Sequence, residues 1–216
     1  MTEPRREDVV LIASTLYSIV AGLAITTAIA ALLTRVAQTP SNTTLVLSPV
    51  DLVGNIGRTL LVLSFFLFAI PFYHGATLVL ATTMRSSSHE PVSSPMLDFF
   101  ALFLEAGILY AMSLSVGLSN IFLSWIIALL AVDMVWAGLA RRRDTISATL
   151  QRTLRWWIIL DVPAAGFLIA LRLFPPLLAF DEGSRIAILF AFALVRTALD
   201  YGICRDFYFA RASRKR

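Results

Sequence analysis

Six stretches of this chain, each about 20 residues or longer, are almost free of charge, which is the length an α-helix rising 1.5 Å per residue needs to cross a bilayer's hydrocarbon core. They run from Val9 to Leu33, Leu60 to Met84, Phe99 to Leu118, Ile121 to Ala140, Trp156 to Phe174 and Ile186 to Phe209. In hydrocarbon the backbone must satisfy its own hydrogen bonds, so runs of this kind are helices. The expected fold is therefore all-α: a polytopic membrane protein built as a six-transmembrane-helix bundle, with residues 1–216 forming a single transmembrane domain. The longest connections, 34–59 and 85–98, are short and rich in Ser, Thr and Pro, which leaves no soluble domain. A content of 58% hydrophobic and 15% charged residues fits the same class. The first window follows MTEPRRED and exceeds a cleaved signal's apolar core, so it is expected to be a retained signal anchor.

Basic residues orient such a bundle, because Lys and Arg accumulate on cytoplasmic connections. If both termini share one side, that side collects Arg5, Arg6, Arg85, Arg141, Arg142, Arg143, Arg152, Arg155, Arg205, Arg211, Arg214, Lys215 and Arg216. The opposite side has Arg35, Arg58, Arg172 and Arg185. Both termini are thus expected to be cytoplasmic, in a cytoplasmic (inner) membrane. The net charge of +4 is explained by this bias at the span ends, so no nucleic-acid partner is expected. The basic loop and tail suit anionic lipid instead. The segment ARRRDTISATLQRTLRWW, with Ile146, Leu150 and Leu154 at helical spacing, is either an amphipathic helix on the inner leaflet or an extension of the fifth span. Trp125, Trp136, Trp156 and Trp157 stand near span ends, as in interfacial aromatic belts.

Ionisable groups are costly in hydrocarbon and, where they occur, face a bundle interior or a wet cavity. The spans hold His74, Glu105, Asp133, Asp161, Arg196 and Asp200. Counted from the cytoplasmic flank, the first four fall roughly 9 to 17 Å deep, and Asp200 falls near the same band. The first span contributes Ser14 and Ser18, one turn apart, with Tyr17 beside them. These nine side chains are the candidate ion or proton pathway, a polar layer in the cytoplasmic half of the bundle. Four carboxylates there face one arginine and one histidine, so at least two lack a fixed cationic partner and must be protonated, hydrated or bound to a cation.

Arg196 has candidate partners in Asp200, one turn away, and in Asp133 or Glu105 across the bundle. Asp161, nearest the interface, is open between site and scaffold. His74 is equally open between pathway group and satisfied core histidine. Pro71 is expected to kink the second span beside His74, with Gly75 admitting a close neighbour, and Pro163 repeats the device after Asp161. Ser14, Ser18, Gly22, Thr26 and Ala30 recur every fourth residue and form a groove for close helix packing. Asn42-Thr43-Thr44 matches a glycan acceptor pattern that carries little weight here. The lone Cys204 forbids an internal disulfide, and with two histidines, His74 and His89, a three-histidine zinc site is out of reach.

Phosphate-binding glycine loops, GxSxG, HExxH and di-aspartate prenyl or phospho-alcohol transferase patterns are all missing from the sequence. The expected function is a channel or ion-coupled transporter for protons or small cations rather than an enzyme, with no cofactor. A small bundle with a packing groove is expected to form a homo-oligomer. Two alternatives stand beside it. One is an intramembrane enzyme acting on a lipid or isoprenoid, its carboxylates holding Mg2+ or Mn2+ with His74 as general base. The other is a non-catalytic membrane subunit or sensor whose polar layer enforces helix register.

Overall fold

The structure is a computed structural model that describes residues 6–36, 49–85, 93–143, 146–173 and 181–209. Among them the chain forms seven helices: α1 (Arg6–Val36), α2 (Pro49–Arg85), α3 (Ser93–Leu114), α4 (Ser119–Ala140), α5 (Ala148–Leu173), α6 (Glu182–Ile203) and the short α7 (Arg205–Tyr208). The first six are long and apolar enough to cross a membrane, which agrees with an integral membrane protein. The basic tail beyond Phe209, the Asn42-Thr43-Thr44 pattern and His89 lie outside the described residues.

The helices pack as a ring in the order α1, α3, α4, α5, α6, α2 and back to α1, with α2 also touching α3. Inside the ring, Phe65 and Phe68 of α2 and Phe122, Ile126 and Leu130 of α4 belong to one fully buried apolar core. The side chains turned outward are also apolar, among them Leu11, Ile19, Phe100, Val135, Val162 and Val195. A helix that is apolar all round is what a lipid environment requires.

Several boundaries differ from those expected of the sequence: α2 begins at Pro49 and α3 at Ser93, ahead of the apolar windows at Leu60 and Phe99, and three other ends have a local reason. The third span stops at Leu114 because the chain turns through Ser115–Gly117, where Gly117 adopts a φ of +108° that no helix contains. The sixth stops at Ile203, since Cys204 leaves helical geometry and α7 starts in a new direction. The fifth begins at Ala148, eight residues before Trp156, so the basic connection is partly a helical extension of the span. Its Leu150 and Leu154 are buried against Val79, Trp136 and Phe207 and are not presented to a leaflet.

Both proline-bearing helices run through Pro71 and Pro163 without interruption, and Pro163 faces outward. Neither proline thus divides its helix into two segments. The stripe of small residues on α1 also faces out: Gly22 and Thr26 are exposed, while the neighbouring stripe of Tyr17, Ala21, Ala24 and Ala28 packs inward. At the start of α6, Asp181 accepts the Ser184 backbone N–H at 2.8 Å. This bond holds the exposed Asp181 carboxyl below its ordinary value and satisfies an otherwise orphaned helix-terminal donor.

Among the described residues, Gly117 is the glycine whose conformation a side chain would oppose, and a β-carbon there would sit 3.3 Å from an Arg58 guanidinium nitrogen. Gly117→Ala is expected to lower stability by about 1–2 kcal/mol, read as a depressed unfolding midpoint of the detergent-solubilised protein, while Gly107→Ala, with open space at its β-carbon, leaves the midpoint unchanged or higher.

Candidate functional site

The centre of the bundle is built around Arg196 of α6. Its Nη2 and Nε donate to the same oxygen, Oδ1 of Asp161 on α5, at 2.6 and 3.2 Å. Asp161 is fully buried and Arg196 is 5% exposed. On its other side the guanidinium carbon lies 5.1 Å from the Phe72 ring centroid and 5.5 Å from that of Phe68. A carboxylate and two aromatic faces thus replace the hydration a guanidinium would have in water.

Arg196 therefore forms an ion pair with none of the three partners expected from the sequence. Asp161, placed nearest the interface by residue counting, is inside because α5 turns it to the same face as Trp157, Ala164, Ala165 and Leu168. Asp200, one turn from Arg196, is engaged elsewhere: its Oδ1 accepts Trp157 Nε1–H and its Oδ2 accepts the Tyr208 hydroxyl, both at 3.0 Å.

Glu105 of α3 and Asp133 of α4 complete the layer, at 2% and 6% exposure. Asp133 is within hydrogen-bonding reach of the Asp161 carboxylate. Glu105 Oε1 is buried with no hydrogen-bond partner among the described residues, and the same is true of Asp161 Oδ2, Arg196 Nη1 and the hydroxyl of Tyr17. Tyr17, 2% exposed on α1, is within electrostatic reach of Glu105 and Asp133.

A cavity of about 20 Å³, room for one water molecule, lies between Glu105, Asp133, Arg196 and Asp200. Its walls are Pro71, Phe72, Gly75 and Ala76 of α2, Leu102 and Glu105 of α3, Asp133 and Trp136 of α4, Trp157 of α5, Arg196 and Asp200 of α6, and Tyr208 of α7. Gly75 lets the Trp157 ring approach: a β-carbon there would be 3.1 Å from the indole.

Of the nine candidate residues, Glu105, Asp133, Asp161, Arg196 and Asp200 come together and Tyr17 adjoins them. His74 does not line the cavity. It is partly buried among aromatic rings, with Nδ1 3.2 Å from the Tyr201 hydroxyl and its ring 4.9 Å from that of Tyr208. Ser14 Oγ donates to the Leu11 carbonyl of its own helix, and Ser18 Oγ bonds the Tyr73 hydroxyl at 3.1 Å. Both hydroxyls are thus occupied away from the carboxylates.

Two tryptophans expected in an interfacial belt serve as donors inside the bundle. Trp157 holds Asp200, and Trp136 Nε1–H donates at 2.9 Å to Asp98, whose second oxygen takes Arg143 at 2.8 Å. Asp98 is 2% exposed and was not distinguishable in sequence from an ordinary span-flanking acid. At the opposite end Arg185 donates to Ser119 Oγ and Asn120 Oδ1, and Ser119 donates to Glu182.

No family model, curated protein or solved structure matches this chain. Among the described residues, no group of three or more His, Cys, Asp and Glu side chains is arranged to hold a metal ion.

Removing one member of a buried ion pair leaves an uncompensated charge, at a cost of about 3–5 kcal/mol, whereas removing both can be nearly neutral. Asp161→Leu and Arg196→Leu alone are each expected to collapse the yield of folded protein, and the double variant to recover much of it, measured as monodisperse protein on gel filtration and as unfolding midpoint.

Proposed function

We propose that this protein moves protons or a small cation across a cytoplasmic membrane, as an ion-coupled transporter or gated channel with both termini cytoplasmic. The observation that carries this reading is the pair of buried carboxyl groups, Glu105 and Asp133, sharing one small cavity with an arginine already committed to Asp161. Neither can persist there as a bare anion, because desolvating a lone carboxylate costs far more than a folded protein can spare. Each must exist as an acid or with a cation, and exchanging that cation is the elementary step of ion passage.

The size of the cavity supports a gated relay or carrier over an open pore, since about one water fits where a continuous file would be needed. Asp200 belongs to the scaffold on this reading: both of its oxygens are occupied by donors from Trp157 and Tyr208. The outward-facing stripe on α1 offers a contact surface for a second copy.

Proton flux into liposomes, followed with an entrapped pH-sensitive dye under an imposed potential, tests the reading. Glu105→Gln and Asp133→Asn are expected to fold and to lose flux by about tenfold or more, the effect of raising a barrier by ~1.4 kcal/mol. Parental flux in both variants, or no proton, sodium or potassium flux from the parent under any gradient, would sink the proposal.

A further inference from the structure

We propose that Asp133 and Asp161 share one proton, with Asp133 as the carboxylic acid donating to the Asp161 carboxylate. The inference deepens the transport reading above by naming the ion and its seat, and it rests on contacts that hold whether or not the protein transports anything.

Both donors of Arg196 that reach Asp161 fall on Oδ1, leaving Oδ2 buried without a partner. Asp133, on the facing helix α4, is in hydrogen-bonding reach of that carboxylate. Two ionised carboxylates only accept, so their approach in a water-poor interior is repulsive. One proton between them turns the contact into a charge-assisted O–H···O⁻ bond, among the strongest hydrogen bonds available to side chains. The buried Asp161 carboxylate then has a second side-chain donor beside Arg196.

The surrounding charges decide which carboxyl holds the proton. Arg196, at 2.6 Å, stabilises the anion on Asp161, so the acid is Asp133. Glu105 from α3 lies within electrostatic reach of Asp133, and any negative charge there favours keeping the proton. Asp200 from α6 is tied to Trp157 and Tyr208, and the near part of α1 offers the Tyr17 hydroxyl. The part of α2 lining the cavity, Pro71, Phe72, Gly75 and Ala76, brings no titratable group.

The consequence for transport is mechanical. When the proton leaves, two anions compete for one guanidinium, and their repulsion acts directly between α4 and α5, which pack along each other. Neutralisation by a returning proton restores the contact. The pair thus converts protonation into a force between two membrane-length helices.

Infrared spectroscopy of the reconstituted protein at neutral pH tests the pair without measuring flux. The parent is expected to show a D2O-sensitive carboxylic-acid C=O band that shifts when the aspartates carry a 13C-labelled carboxyl. The band should persist in Glu105→Gln, vanish in Asp133→Asn, and in Asp133→Glu become insensitive to the aspartate label. The conservative Asp133→Glu retains an acid and serves even if Asp133→Asn does not fold. No label-shifted acid band in the parent, or one that survives unchanged in both Asp133 variants, overturns the shared proton. Loss of the band with flux intact would reject the pair and leave transport standing; the band present without flux would do the reverse.

Discussion

A guanidinium 5% exposed in an apolar bundle must be provided with a counterion and polarisable neighbours, and the arrangement around Arg196 follows from that need. Asp161 supplies the counterion from α5, and Phe68 and Phe72 supply ring faces from α2. These contacts fix α2, α5 and α6 about one point. Asp133 meets Asp161 from α4 and Glu105 lines the adjoining cavity from α3, so the remaining helices are positioned against the same centre. A buried pair of this kind contributes little net stability over a hydrophobic equivalent. What it specifies is rotation: α5 or α6 turned by one residue would bury an unpaired charge.

The carboxyl groups divide by how completely they are satisfied. Asp98 and Asp200 each receive one indole N–H and one further donor, so both of their oxygens are occupied. Such groups join helices: α3 to the end of α4, and α6 to α5 and α7. Glu105 has an orphaned oxygen, and Asp133 finds in Asp161 a group that can only accept. In low dielectric an incompletely satisfied polar group is costly, and proteins keep such groups where their exchange with protons or ions is useful.

The six membrane-length helices were legible in the sequence because hydropathy and length are local properties. So was the presence of a polar layer, since a charged side chain within a span has few places to go. Its wiring was not legible. Counting residues from Arg155 gave Asp161 an axial depth and no azimuth, and azimuth is what turns it toward Arg196 instead of the interface. Asp200 was a natural partner by spacing along one helix, yet Trp157 and Tyr208 claim it across helices, and no pattern in one chain announces such a donor. The tryptophans misled for the same reason: their place near span ends suits an interfacial belt, while the direction of the indole N–H depends on packing between elements. His74 drew attention as the histidine of an apolar run. The early end of α6 gathers Tyr201, Tyr208 and Phe209 around it and away from the carboxylates.

That early end also bears on how an ion would reach the layer. Because α6 stops at Ile203, α7 folds Tyr208 back to form one wall of the cavity, with its hydroxyl on Asp200 and its ring against His74, Trp157 and Tyr201. In the other direction the bundle is closed by Phe65, Phe122 and Ile126, fully buried and without polar atoms. On the proposed reading, an ion on Asp133 would be held between an aromatic cover with a polar bond to Asp200 and an apolar plug of buried side chains. Moving Tyr208 breaks its hydrogen bond to Asp200 and its ring contacts with His74, Trp157 and Tyr201, whereas parting the apolar side separates packed rings and branched chains along several turns. On the transport reading proposed above, the short α7 is the cavity wall that can move without displacing a membrane-length helix, so loading through it and discharge by rearrangement of the helices would suit a carrier more than a pore.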